Sequence, residues 1–396
     1  MSTLAFSAAA AFLGLAAHPF TTYPLSLAVI RRLQGTQPVK PRLRAAPFSF
    51  ALLTAAHNEA SVIGDKILNL KAVLDRAPGP AEALIYVDGS NDRTADILRD
   101  QTDPRFTVVI GHRRGGKTAG LNRLISLTTS DVLVLSDANV MLGPDALERL
   151  QPYFADPAVG LVCGHLRYTN GSEGETASNG DAYWRLEEAI RQLESDTGSA
   201  IGADGSLYAV RRALWPSVPA DLIDDFYVPM RVRLAGGRVI RAADVMAYER
   251  SADDPSDEFR RKVRIACQAF NVHRALRPDL KQLPALDRYK YASHKLLKWL
   301  IGPNLGLGVL AALIGIAVTH SLVLAGALAS GTGLLLMLGR RLGLGPFPSL
   351  WNALAMFGAV ALGVLRSLQG ERFRTWQPAA SVRAGLAFGR HPGGTA

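Results

Sequence analysis

Long stretches without a single Asp, Glu, Lys or Arg constrain this chain more than any other feature: residues 2–30, 299–339 and 342–365. About 20 helical residues cross a hydrocarbon core of roughly 30 Å, so the first and last runs are each long enough for one span. As a single helix the middle run would reach about 60 Å at 1.5 Å per residue, so it reads as two spans. A cleaved leader needs a basic start, which the first run lacks, so residues 1–30 read as an uncleaved anchor. Arg31, Arg32, Lys40, Arg42 and Arg44 follow that anchor. Excess positive charge stays on the cytoplasmic side, which places residues 31–295 in the cytoplasm of an inner (plasma) membrane protein. Arg340 and Arg341 return to the same side after two more spans. A full last crossing would put Arg372, Arg374, Arg383 and Arg390 outside. Residues 351–365 therefore read either as a complete span or as a re-entrant, interfacial segment.

The formal net charge of +10 is consistent with this placement. Its bases bracket the apolar runs, so anionic lipid headgroups, and not nucleic acid, are the partner it suggests. Cys163 and Cys267 form neither a disulfide framework nor a ligand cluster and read as small buried hydrophobes.

Between the apolar ends the chain alternates. A basic linker (31–46) leads to strands at 48–55, 83–87, 106–110 and 131–135. Helices follow at 60–74, 93–99, 118–127 and 144–153. The βα repetition predicts an α/β domain over 47–257, built on a mostly parallel, Rossmann-like sheet with helices on both faces. Its second half is less regular: a helix over 181–194, short strands at 207–210 and 238–240, then amphipathic interfacial helices over 258–295. Residues 296–368 hold the C-terminal spans and 369–396 a basic tail. In such sheets ligands bind beyond the carboxyl ends of the strands, which is where the chemistry-bearing residues fall.

Val87-Asp88-Gly89-Ser90-Asn91-Asp92 is a strand-to-helix turn. Its polar residues suit capping, and Asp88 can accept hydrogen bonds from a nucleobase edge. Ser136-Asp137-Ala138-Asn139 offers two oxygen donors at i and i+2 after an apolar strand. That arrangement can grip Mg²⁺ or Mn²⁺ together with a diphosphate. Asp224-Asp225 sets adjacent carboxylates among apolar residues: one can act as a base while its neighbour caps a helix over 226–234. Arg260-Arg261-Lys262-Val263-Arg264 can meet a departing diphosphate or lie on anionic lipid. Gly111 to Thr118 also fits the phosphate-cradling pattern G-x-x-x-x-G-K-[ST], between a strand and a helix. A P-loop NTPase is the competing reading, although the loop follows the third strand and leaves Asp88 and Asp225 unexplained.

The ordered pieces Ala56-His57-Asn58-Glu59, Asp88-Gly89-Ser90-Asn91-Asp92, Gly116-Lys117-x-x-Gly120-Leu121-Asn122, Ser136-Asp137-Ala138-Asn139, Gly202-Ala203-Asp204-Gly205 and Asp224-Asp225 resemble family 2 glycosyltransferases with a GT-A fold. The likeness is to their membrane-bound group, which includes cellulose, hyaluronan and poly-N-acetylglucosamine synthases. It runs from about Phe48 to Trp299. The resemblance implies a nucleotide-sugar donor, expected to be a UDP-sugar, and a saccharide or lipid acceptor. It implies a uridine pocket lined by Glu59 and Asp88, with Lys117 near the nucleotide and Asp137 on diphosphate and metal. Asp225 would be the base, with Asp224 beside it. Gly202, Asp204 and Gly205 would border the acceptor, and Arg261 and Arg264 the leaving group. The chain departs from the family twice. Asn139 stands where the metal-binding D-x-D has its second Asp. Arg261-x-x-Arg264-Ile265 lacks the tryptophan of the processive Q-x-x-R-W. These departures leave a non-catalytic membrane scaffold as an alternative, and they favour single transfer over chain synthesis.

Overall fold

A computed structural model describes residues 1–42, 46–169, 175–250 and 255–376. Arg383 and Arg390 of the basic tail lie outside the described residues. Among the described residues, eight strands form one sheet in the order β3-β2-β1-β4-β7-β6-β8-β5. They are β1 (Phe50–Ala56), β2 (Ala81–Asp88), β3 (Phe106–Gly111), β4 (Val132–Ser136), β5 (Met141–Leu142), β6 (Val159–Tyr168), β7 (Leu207–Arg211) and β8 (Arg238–Glu249). The first four are parallel, and β7 enters antiparallel to β4 and to β6. The chain steps outward from β1 to β3 and then returns to the other side of β1 with β4. That reversal opens a crevice at the carboxyl ends of β1 and β4.

β1 and β4 are buried along their whole length, as their unbroken apolar sequences require of strands covered on both faces. Side chains alternate across the sheet. Phe50, Leu52 and Ala56 point into one core, Ala51 and Leu53 into the other. The helices of the first half are α1 (Ser2–Ala17), α2 (Thr22–Gln34), α3 (Ile63–Asp75), α4 (Thr94–Arg99), α5 (Lys117–Ile125), α6 (Ala146–Phe154) and α7 (Glu175–Asp196). α3 and α6 cover the first face, whereas α5 and α8 (Asp224–Leu234) cover the second. α9 (Pro255–Leu276) and α10 (Ala285–Tyr291) follow, then a wide π-turn (Ala292–Leu296) running into α11 (Leu297–Trp299).

Among the described residues, four helical segments are long and apolar enough to cross a membrane: Ser2–Phe20, Ile301–Thr319 (α12), Leu322–Arg341 (α13) and Phe347–Leu368 (α14). The middle charge-free run is thus two helices, and the last is long enough for a complete crossing. The first run does not form one helix to residue 30. Pro19 sits in a tight turn over His18–Phe20, and α2 starts anew at Thr22. Trp299 and Val364 reach the second core, so the apolar C-terminal helices pack directly onto the sheet domain.

Three further differences from the sequence reading bear on the site. β6 and the two-residue β5 carry no clear sequence signal. β8 continues past Ile240 to Glu249, through register shifts against β6. α8 begins at Asp224, after an N-cap at Ile223, so Asp224 caps nothing and instead occupies the first turn.

Candidate active site

The β1 and β2 loops brace each other. Asn58 has a left-handed φ of 53°; its backbone N–H donates to Ser90 Oγ, and its Oδ1 accepts from Asn91 N. Glu59 N donates to Thr94 Oγ1, and Ala60 N to Asp92. Ser90, Asp92 and Thr94 thus serve loop architecture, while Glu59 is buried at the loop base. Asp88 is wholly buried, and its two oxygens accept from Gly115 N (2.6 Å) and Gly116 N (3.0 Å). It holds the glycine loop in place, with its backbone carbonyl accepting from His57 Nδ1. Gly116 has φ 94°, a conformation that glycine reaches without a Cβ penalty.

That turn launches α5 with Lys117 pointing across the crevice. Its ammonium lies 2.7 Å from Asp137 Oδ1 and 3.9 Å from Asp224 Oδ1. Burial opposes its charge, but Asp137, Asp224 and Asp225 outweigh burial and hold it protonated above the usual lysine range. In this setting the G-K-T stretch joins two acidic turns, an ion-pairing role the phosphate-loop pattern does not anticipate.

The two neighbouring aspartates differ. Asp224 is buried and accepts from Tyr208 Oη at 2.6 Å. Asp225 accepts no side-chain hydrogen bond among the described residues and is only half-buried by its own surface. Enclosure by the surrounding groups, with Asp224 beside it and Lys117 opposing, pushes its carboxyl up to about 7. A carboxylate of that basicity is matched to general-base work near neutral pH.

Gly205 lies against this carboxylate: a Cβ there would stand 2.8 Å from Asp225 Oδ2. Gly205→Ala is expected to push the carboxylate aside and cut kcat about 10²-fold, the usual cost of a displacement near 1 Å. Steady-state kinetics with an unchanged melting temperature would check it. Asp204 is held by Arg191 (3.2 Å) and by Ser206 N and Oγ. Burial works against its charge, and Arg191 with Ser206 overrides burial to keep it below the usual carboxylate range. Gly202, at φ 99°, lies near Lys295 and Phe226. From α9, Arg261 pairs with Glu258 (3.5 Å), and its charge also meets Glu249, Tyr168 and Asp204. Arg264 bonds Gln268 (3.3 Å) and is the guanidinium whose field meets Asp137 and Asp225.

Three contributors escaped the sequence reading. Lys66, fully buried on α3, donates to Ser136 Oγ (2.7 Å) and Val140 O (2.6 Å), clamping the Asp137 turn from below. A lysine within the apolar stripe Ile63, Ile67, Leu70 was the available signal. Glu249 accepts from Asn139 Nδ2 at 2.9 Å, and burial pushes its carboxyl up to about 7. Lastly, Glu371–Trp376 runs back from α14 across the glycine loop. Gln268 and Asn271 donate to the carbonyls of Phe373 and Glu371, each at 3.0 Å. The Trp376 ring stands 6.0 Å from His57, and Arg114 donates to the Trp376 carbonyl.

Among the described residues no three His, Cys, Asp or Glu side chains converge as a metal cage. The donors present fit a cation of another kind. Lys117 occupies one Asp137 oxygen, and the Asn139 oxygen is the free end of its amide. Mg²⁺ and Mn²⁺ are commonly held by one or two such side chains with substrate phosphates completing the shell.

Residues 52–215 match the family model described as Glycosyl transferase family 2. They therefore match a family 2 glycosyltransferase domain, and the sheet that holds them resembles a GT-A fold. A mannosyltransferase from Pyrobaculum calidifontis, solved with GDP-Man and Mn²⁺, superposes with TM-score 0.66 at 23% identity, covering 93% of this chain and 99% of that one. A beta-monoglucosyldiacylglycerol synthase of Synechocystis is 35% identical over 54% of this chain and 47% of its own length. An N-acetylglucosaminyltransferase of Rhizobium sp. is 26% identical over 64% of this chain and 60% of its own length. The chain thus spans about half to three fifths of these relatives.

Proposed function

We propose that this protein is an inverting, metal-dependent glycosyltransferase of the cytoplasmic membrane face, moving a sugar from a UDP-sugar to a lipid-linked or saccharide hydroxyl. The observation that carries the reading is Asp225: an unbonded carboxylate of raised basicity, across a crevice from Lys117, Asp137 and Arg264. In this reading Asp225 takes the acceptor proton as the acceptor oxygen forms a bond to the anomeric carbon. The bond from that carbon to the donor diphosphate breaks on the opposite face, so configuration inverts. Arg264 and Lys117 place positive charge where the diphosphate departs. Asp137 and the Asn139 oxygen would hold a divalent cation, which neutralises charge on the leaving group when bound.

A lipid acceptor is supported by two observations. Among the described residues four helices are long and apolar enough to cross a membrane, and a relative is named for a glucosylated diacylglycerol. The position after Arg264 holds Ile265, where a chain-extending enzyme of this group carries tryptophan.

The test is purified full-length protein in detergent with Mn²⁺, screened against UDP- and GDP-sugars and membrane-lipid acceptors, reading nucleotide release. UDP release, with a single inverted glycolipid product, is expected. Release from GDP-sugars alone would replace the donor base in this reading. A folded protein that turns over no donor and binds no nucleotide would favour a scaffold role.

A further inference from the structure

We propose that Glu249 is a positioning residue for the donor's cation: it fixes the Asn139 amide so that its oxygen faces the diphosphate, and it supplies the negative charge that asparagine lacks there. The inference rests on the donor-site reading above and concerns a residue outside every motif noted in the sequence. Asn139 Nδ2 donates to Glu249 Oε1 at 2.9 Å. A carboxylate oxygen accepts and cannot donate, so only the nitrogen end of the amide can face it. The Asn139 oxygen is thereby turned to the opposite side, and an otherwise free rotor becomes a fixed ligand.

Glu249 is itself held firmly. It ends β8 opposite Tyr168 of β6, and its carbonyl accepts from Thr169 N at 2.9 Å. The charges around the turn give it a second role. Asp137 is already paired with Lys117 at 2.7 Å, which leaves little net charge on that pair for a cation. Arg261 on α9 pairs with Glu258 at 3.5 Å, and its charge is also felt by Glu249. Among the described residues, Glu249 is the remaining acid in hydrogen-bond contact with the turn. Partners of this kind, one bond removed from the metal, typically change affinity 10- to 100-fold when altered.

The experiment is isothermal titration of Mn²⁺ into full-length protein in detergent at pH 8, with saturating UDP and, separately, GDP. Glu249→Gln keeps shape and can still accept from Asn139, but loses the charge; a Kd at least about tenfold weaker is expected. Asn139→Asp combined with Glu249→Gln reverses the hydrogen bond and moves the charge, so it is expected to recover to within about threefold of wild type. A merely structural role would leave the isosteric single variant unchanged and give the double variant no advantage. Wild-type Kd in Glu249→Gln, or no recovery in the double variant, overturns the proposal. Should Glu249→Gln fail to fold, Asn139→Ala takes its place: about tenfold weakening supports the proposal and an unchanged Kd overturns it. Nucleotide binding in the wild type that Mn²⁺ does not affect, or no nucleotide binding, defeats the donor-site reading itself and this inference with it.

Discussion

Asp225→Asn is expected to lower kcat about 10³-fold while leaving nucleotide and Mn²⁺ affinity within a few-fold of wild type. General bases contribute roughly 10²–10⁴ in rate, and a thousandfold loss corresponds to about 4 kcal/mol of transition-state stabilisation. The substitution is clean because the Asp225 side chain accepts no hydrogen bond among the described residues, so nothing is orphaned by an amide. Asp224→Asn makes a useful contrast: it alters a buried carboxylate bonded to Tyr208 and is expected to reduce thermal stability as well as turnover. The wild-type pH profile supplies a second readout. A base must be deprotonated to act, so kcat/KM should fall as pH drops below the Asp225 value of about 7 and level off above it. A bound divalent cation favours the ionised form, so the limb should lie at or below that value. If Asp225→Asn keeps turnover within a few-fold while folding normally, Asp225 is not the base.

The contrast between neighbours also marks how far the sequence can be read. Four βα units, and the acidic turns at their carboxyl ends, were visible because apolar strands and polar turns alternate at short range. What separates Asp224 from Asp225 is a hydroxyl from Tyr208, which belongs to an antiparallel strand of the sheet and is joined to α8 only by the fold. Glu249 was hidden for a related reason. Arg241 and Asp244 interrupt the apolar pattern of β8, so the strand seems to stop at Ile240. Register shifts against β6 carry it on to Asn139. The return of Glu371–Trp376 over the glycine loop follows from where α14 ends in space, and no local pattern encodes that.

Glu194→Ala is expected to be the most destabilising single change outside the crevice, lowering the melting temperature by roughly 10 °C. Glu194 is completely buried on α7. It accepts from Tyr23 Oη (2.5 Å) on α2, from His294 Nδ1 (2.7 Å) in the π-turn, and from Ile201 N (3.0 Å). Lys290 adds a bond to its carbonyl at 2.9 Å. One carboxylate therefore ties the N-terminal helices and the start of the C-terminal apolar helices to the sheet domain. Burial alone would raise its pKa. His294, Tyr23 and Ile201 outweigh burial and bring it below its ordinary 4.5. A carboxyl depressed in the folded state contributes stability above its unfolded pKa and loses it as pH falls through the folded value. Its contribution is thus complete at neutral pH and disappears only below the ordinary 4.5. Removing one member of a buried charged network costs about 3–5 kcal/mol, because the partners stay buried without it. At about 2–4 °C per kcal/mol for a domain of this size, the shift is near 10 °C. Tyr23→Phe removes one hydrogen bond to a charged group and should cost about 1.5–3 kcal/mol. Thermal unfolding of the detergent-solubilised protein, followed by a fluorescent thiol or tryptophan signal, measures both. Donor affinity below the transition should stay intact in each variant, since none of these hydrogen bonds reaches the Asp137 or Asp225 carboxylate. A melting temperature within about 2 °C of wild type for Glu194→Ala would show that the network does not couple the apolar helices to the domain.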